Sequence, residues 1–171
     1  MTILFCTFIP MTETNPDNLA RMIRLVGEVF DTRNDPSQIS VDQKAVARLR
    51  KIHPDTMTER RTKNGPIAWI LVFPTTETLM EEFLAGRITE NDLLNRTPFR
   101  TKYDAMYLCS ALVLPEYRRR GIARRMLADT VKSIRRDFPI RTLFCWPFTS
   151  AGKKLAAAVA RDAALPLRLR G

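Results

Sequence analysis

Histidine occurs once and cysteine three times in 171 residues. His53 has no cysteine or histidine near it in sequence and there is no CxxC, so the ligand spacing of a zinc site is missing. Cys6, Cys109 and Cys145 are odd in number, and each falls inside a predicted strand. A disulfide framework is therefore not expected; buried free thiols in a reducing cytoplasm are. No apolar run reaches the roughly 20 residues of a membrane-spanning helix. The opening MTILFCTFIP is apolar, but it has no basic leader and no small-residue cleavage site, and Pro10 cuts it short. It reads as a first strand over Ile3–Ile9 and not as a signal peptide. Repeats, linkers and low-complexity tracts are absent too, so one domain over 1–171 is expected, long enough to bury a core without disulfides or metal.

Basic residues are plentiful. Lys and Arg number 28 against 18 Asp and Glu, a formal charge of +10. That excess suits an anionic cofactor, a nucleic acid or an acidic protein. Aromatics make up 8% and, Tyr117 apart, are not interleaved with the basic residues, which argues against a single-strand stacking surface.

The charge concentrates in Met106–Arg125, MYLCSALVLPEYRRRGIARR. Met106–Leu114 is apolar almost without a break, the pattern of a strand buried on both faces. Pro115 stops the ladder for want of an N–H. Glu116–Arg120 form a basic turn, and Gly121 opens an amphipathic helix with Ile122, Met126, Leu127, Val131, Ile134 and Phe138 on its apolar side, ended by Pro139. The first turn of a helix has N–H groups without intrahelical partners and a positive dipole end, so an anion can satisfy both. Gly121 lets the backbone approach a diphosphate and take a positive φ, and Ala123 is nearly as small. Arg118, Arg119, Arg120 and Arg124 add planar bidentate donors.

Val113-Leu114-Pro115-Glu116-Tyr117-Arg118-Arg119-Arg120-Gly121-Ile122-Ala123-Arg124-Arg125 resembles the acyl-CoA signature of the GNAT N-acetyltransferase superfamily. The core Arg/Gln-x-x-Gly-x-Gly/Ala falls on Arg118, Gly121 and Ala123, and the flanking V-x-P-x-Y-R on Val113, Pro115, Tyr117 and Arg118. The resemblance implies an α/β (α+β) GNAT-like acyl-CoA N-acyltransferase fold: a central mixed sheet flanked by helices, with its central parallel strands splayed. It implies that the turn binds the pyrophosphate of acetyl-CoA through Arg118, Arg119, Arg120, Gly121, Ile122, Ala123 and Arg124. The pantetheine arm would then lie in the splay, bonded to the backbone of Leu112 and Val113.

Along the rest of the chain, Asn15-Pro16 starts a helix with Leu19, Met22, Ile23, Val26 and Phe30 on one face. Asp31–Ser40 reads as a loop. Ser40–Gln43 resembles a capping box for a second helix with Val41, Ala45, Leu49 and Ile52 on its apolar side, ending before Pro54. His53 then sits at a helix C-terminus, a structural role. Asp55–Asn64 is charged and reads as an exposed connection, and Pro66–Phe73 as a strand with Trp69 in the core. Thr76 caps a helix carrying Leu79, Met80, Phe83 and Leu84, with Gly86 at its end, and Thr89–Leu94 is another short helix. The family places a hairpin where this chain offers one strand and then helices, so residues 75–104 are either an insertion at the acceptor pocket or a replacement of that hairpin. Arg141–Trp146 is a strand parallel to Met106–Leu114. Thr149 or Ser150 caps a last helix, Ala151–Ala164, and Leu167–Leu169 offers a terminal strand. The family continues further, so the C-terminal strands look cut short.

Catalytic residues do not stand out. The resemblance implies a tyrosine acid on the last helix, in a pattern whose positions fall on Thr149, Gly152, Leu155 and Ala156, and alanine donates no proton. It places Thr149 by the pantetheine. Met106–Leu114 holds no carboxylate; Asp104 precedes it, and Glu116 lies in the phosphate turn. Cys109 has no histidine partner and reads as a buried thiol. Three readings result. The first is a cytoplasmic N-acetyltransferase, with direct attack by a primary amine of unspecified identity in a ternary complex. The second is a GNAT-like module that binds CoA with little or no transfer. The third, a nucleic-acid-binding domain, accounts for the charge but not for the spacing of the motif. Oligomeric state is open, a homodimer included.

Overall fold

The computed structural model describes residues 16–31 and 37–171. The strand expected over Ile3–Ile9 with Cys6, the Asn15 cap, the Phe30 side chain and residues 32–36 of the expected loop lie outside the described residues.

The protein is a mixed α/β fold. The order is α1 (Pro16–Asp31), α2 (Gln43–Ile52), β1 (Met57–Thr62), β2 (Gly65–Thr75), α3 (Glu77–Leu84), α4 (Glu90–Arg96), β3 (Ala105–Val113), α5 (Ile122–Asp137), β4 (Thr142–Cys145), α6 (Ser150–Ala163) and β5 (Leu167–Leu169). The strands form one sheet in the order β1-β2-β3-β4-β5. The first two pairings are antiparallel, and β3/β4 and β4/β5 are parallel. Nearly every β2 residue is buried, which requires cover on both faces of the sheet.

Local chemistry sets most boundaries. Thr76 caps α3 by accepting from Leu79 N, and Gly86 beyond its end takes φ 71°. Thr89 and Asp92 form a reciprocal capping box on α4. The cap of α2 is Asp42, which accepts from Ala45 N at 2.8 Å, and not Ser40: Asp42 is the residue three positions before that amide. On α1, Met22 and Val26 are buried as expected, whereas Ile23 is exposed and Leu25 covers the sheet side instead. His53 ends α2. Its Nδ1 accepts from Asp55 N, so its Nε2 carries the proton and donates to Asp137 Oδ2 at 2.9 Å. The position at the end of α2 is the one expected, but the ring works there through hydrogen bonds to Asp55 N and Asp137 and not as a cation on the helix dipole.

Two expectations need correction. Residues 57–62 are an edge strand and not a connection, so a hairpin does precede β3. Its loop is Lys63-Asn64, followed by Gly65 at φ 103°, a left-handed value that suits glycine. The charged Glu59, Arg60 and Arg61 of this edge strand are all exposed, which masks a strand in a hydrophobicity reading. Trp69, expected in the core, is half-buried on β2 and gives its Nε1–H to Glu59 Oε2 at 2.6 Å across the hairpin. Second, β3 is not buried along its whole length. Ala105–Leu108 are buried and Cys109–Val113 only half-buried.

The core is centred on Tyr107. Its ring meets Phe73 and Phe83 edge-on at 5.5 and 5.1 Å and tilts against Phe144 at 5.0 Å. Phe83 comes from α3, so the helices of residues 75–104 supply part of the main core as well as the hairpin's neighbour. β5 is locked to α3 from the other side. Arg168 pairs with Glu81, and the Arg170 guanidinium lies 4.4 Å from both the Phe83 and Trp146 rings.

Candidate functional site

The ladder of β3 ends where Leu114 N donates to Ile67 O at 2.9 Å. Pro115 cannot extend it, and Pro115–Tyr117 form one turn of 3₁₀ helix. The Arg118 Nε folds back onto Val113 O at 3.0 Å. Arg119 and Gly121 both take left-handed backbone, at φ 62° and 72°. Gly121 is the N-cap of α5 and offers no capping side chain. The first helical bond runs from Arg125 N to Gly121 O at 3.0 Å. The amides of Ile122, Ala123 and Arg124 thus meet no acceptor among the described residues, and they stand at the positive end of a 16-residue helix. A turn in which left-handed residues alternate with others can aim successive N–H groups to one side, as in a concave anion nest.

The arginines divide. Arg118, Arg119 and Arg120 are exposed on the turn, with the Arg120 guanidinium 5.3 Å from the centre of the Tyr117 ring. Arg124, expected with them, turns away to α6 and makes two 2.7 Å bonds to the Asp162 carboxylate. Arg125, not among the expected site residues, curls over the turn: a Cβ on Gly121 would sit 3.2 Å from its Nη1. The signal for it was in the sequence, since Arg125 stands four residues after Gly121, one helical turn on.

Beside the turn, the sheet forks. β3 and β4 pair only over Ala105–Tyr107 with Thr142–Phe144, and β4 ends at Cys145 while β3 runs on to Val113. Among the described residues, no strand pairs with the upper half of β3 on the β4 side. Antiparallel pairing alternates, so the Leu114–Ile67 bond also assigns Leu112 to β2, opposite Trp69, and turns Ala111 and Val113 toward the fork. Of the expected pair, Val113 faces the gap and Leu112 does not; Ala111 takes its place. The register shifts between Leu71 and Val72, which leaves Cys109 as the extra, bulged residue just above the fork.

Beneath the bulge lies a group that the sequence did not disclose. Tyr107, the last β3 residue paired with β4, donates its hydroxyl to Glu90 Oε1. Glu90 Oε2 accepts from Ile39 N at 3.1 Å, and Cys109 Sγ lies 4.0 Å from Oε1. Glu90 is only 2% exposed. Burial, chiefly, pushes the Tyr107 hydroxyl well above the ordinary tyrosine range, so it stays protonated as a donor. Glu90 opens α4, and nothing within its own segment indicates that a tyrosine 17 residues on would meet it. Chemically, this is a carboxylate held by fixed donors at the point where the two strands part.

Thr149 caps α6, its Oγ1 accepting from Gly152 N at 3.0 Å, and Ala156 is buried within that helix. Cys145 is a buried free thiol and Cys109 a half-buried one. Among the described residues, no three His, Cys, Asp or Glu side chains are grouped to hold a metal, and no helix is long and apolar enough to cross a membrane. An open groove of about 450 Å³ runs between α5 and α6, lined by Asp129, Lys132, Arg135, Arg136 and Asp162 among others. It includes no residue of the turn.

No protein-family model matches this chain, and no curated protein matches it in sequence. Among solved structures, it is similar to an aminoglycoside acetyltransferase from an uncultured soil metagenomic sample. Against that protein's complex with sisomicin the TM-score is 0.48 at 13% identity, covering 86% of this chain and 83% of the other. Against the complex with trehalose it is 0.45 at 13% identity, covering 84% and 79%. At that identity and those TM-scores the likeness says nothing about substrate or chemistry.

Proposed function

We propose that the protein is an acetyl-CoA-dependent N-acetyltransferase whose cofactor diphosphate sits on the amides of Ile122, Ala123 and Arg124. The observation that carries this reading is the N-terminus of α5: three amides without acceptors among the described residues, behind a glycine at φ 72°, on a turn that carries Arg118, Arg119 and Arg120 and is covered by Arg125. The upper half of β3, which β4 does not pair, supports it. At about 3.3 Å per residue, the strand from the fork to Val113 has a length comparable with an extended pantetheine arm, and Ala111 and the Val113 N–H offer backbone groups along it, the Val113 carbonyl being held by Arg118. The thioester would then arrive near Cys109. A primary amine attacks the thioester carbonyl, the C–N bond forms, the C–S bond breaks, and the proton lost by the amine nitrogen passes through water to the departing CoA thiolate, which leaves as the thiol. In this reading Arg124 acts on the cofactor only after release from Asp162, and Thr149 and Leu112 act through the backbone that they position.

A second reading is a module that holds CoA with little or no transfer. The observation in its favour is Ala156, buried in α6 where the resemblance puts a proton-donating tyrosine. The two separate in one experiment. Acetyl-CoA should raise the melting temperature of both by linkage; thiol release on a panel of primary amines belongs to the transferase alone. Gly121→Glu places a side chain and a negative charge where the diphosphate belongs, and should remove the acetyl-CoA shift in a variant that circular dichroism shows to be folded. An undiminished shift in that variant would rule the turn out as the cofactor site. Salt-sensitive binding to random duplex without any acetyl-CoA response would point instead to the phosphates of nucleic acid.

A further inference from the structure

Glu116 is the one carboxylate in Pro115–Arg125, and it lies within the turn, five residues before Gly121. A bare carboxylate there opposes a diphosphate, since exposed charges interact within a Debye length of about 8–10 Å. It is not bare. From α1, 95 residues earlier, Arg21 Nη2 lies 2.6 Å from Glu116 Oε2. Arg21 Nη1 also donates to Asn18 Oδ1 at 3.2 Å, and Asn18 is buried, so the guanidinium is held from two sides. The helix that carries it is anchored at the turn. Met22 is fully buried against Ile67 and Leu114, with Leu25, Leu112, Tyr117 and Ile122 around them. The Arg21 bond is also the chief reason why the Glu116 carboxyl is held below the usual carboxylate range.

We infer that Arg21 is a positioning residue for the cofactor turn: it keeps the Glu116 carboxylate on the α1 side and cancels its charge. The amides of α5 and the turn arginines then face an anionic ligand without an opposing charge. This rests on the acetyl-CoA reading above. It also makes the seating of α1 a condition of full cofactor affinity, because the shielding cation comes from that helix.

Calorimetric titration of the full chain with acetyl-CoA at low ionic strength tests it, on wild type, Arg21→Ala, Glu116→Gln and the double variant. Arg21→Ala should weaken binding by about two- to fivefold, the size of an exposed charge–charge effect. Glu116→Gln should bind at least as tightly as wild type. The double variant should match Glu116→Gln, and the Arg21→Ala deficit should shrink as salt is added. If Arg21→Ala binds like wild type, or if its deficit persists in the double variant and in high salt, Arg21 serves only to seat α1 and the inference fails alone. Absence of acetyl-CoA binding by wild type itself would overturn the cofactor reading and this inference with it.

Discussion

The Tyr107 hydroxyl donates to Glu90 Oε1 at the point where β3 parts from β4. One partner is the last paired residue of the strand that leads to the turn, and the other opens a helix of the segment between β2 and β3. The bond ties the helices of that segment to the point where the two strands part. It also explains how a carboxylate 2% exposed is tolerated: both of its oxygens have donors.

Tyr107→Phe removes the donor and leaves a buried acceptor short of one bond. The expected cost is about 1–3 kcal/mol, read as a lower urea midpoint at unchanged slope. A midpoint equal to wild type would show that Glu90 does not depend on this hydroxyl. The conservative Glu90→Gln keeps one acceptor, which can serve Ile39 N while its amide donates to the Tyr107 oxygen, and should cost less than Glu90→Ala.

Thr149 holds the N-terminus of α6 through Gly152 N. Thr149→Ala should cost about 1 kcal/mol and lower the melting temperature by a few degrees. Thr149→Asn retains a capping oxygen and should melt close to wild type. If the asparagine variant keeps its stability but loses acetyl-CoA affinity, Thr149 touches the cofactor as well as capping the helix.

Arg124 and Asp162 hold each other. The pair raises the guanidinium pKa and holds the Asp162 carboxyl below the usual carboxylate range. Asp162→Asn frees Arg124, one residue beyond Ala123, and should tighten acetyl-CoA binding by about two- to threefold, whereas Arg124→Ala should weaken it less than Arg119→Ala does. Because Asp162 binds its proton less readily folded than unfolded, its pair stabilises the protein above about pH 4 and ceases to as pH falls through the lower, folded value. Acid unfolding of Asp162→Asn should therefore start from a lower plateau and show a shallower decline.

Cys145 behaves in the opposite sense. Burial pushes its thiol up to about 11. Its folded pKa lies above its unfolded one, so its contribution is whole below about pH 8.5 and is lost as pH rises toward 11. Between those values wild type should lose about 2–3 kcal/mol more than Cys145→Ala, measured by urea unfolding across alkaline pH. Parallel alkaline limbs in the two proteins would show that the thiol ionises in the folded state without penalty. Tyr107, raised chiefly by burial, adds to the loss in both proteins, and less in Cys145→Ala because the Cys145 thiolate is one of the charges that raise it.

How much was legible follows the range of each interaction. The caps of α3 and α6, the end of α2 before Pro54 and the α5 face of Met126, Leu127, Val131 and Ile134 were all readable, because each depends on residues within one helical turn. The β1/β2 hairpin was missed although Asn64-Gly65 marks it, because an edge strand carries charge where a core strand carries apolar residues. Burial of β3 was overread: an apolar run shows that a strand can be covered on both sides, not that a neighbour is long enough to cover it.

By itself the sequence determined the turn. Pro115 lacks the N–H to continue β3, glycine at 121 takes the left-handed backbone without a Cβ penalty, and the 3.6-residue spacing after it commits the chain to a helix, so the unpaired amides of α5 follow from local sterics. Only the tertiary structure decided what surrounds them. Where β4 stops, which arginine Asp162 removes, which cation shields Glu116 and what carboxylate lies beneath Cys109 depend on partners 19 to 95 residues apart in three of the four cases, and on strand register in the other. No local spacing encodes such contacts, because the cost of bringing distant segments together is met by the whole core and not by the pair that results.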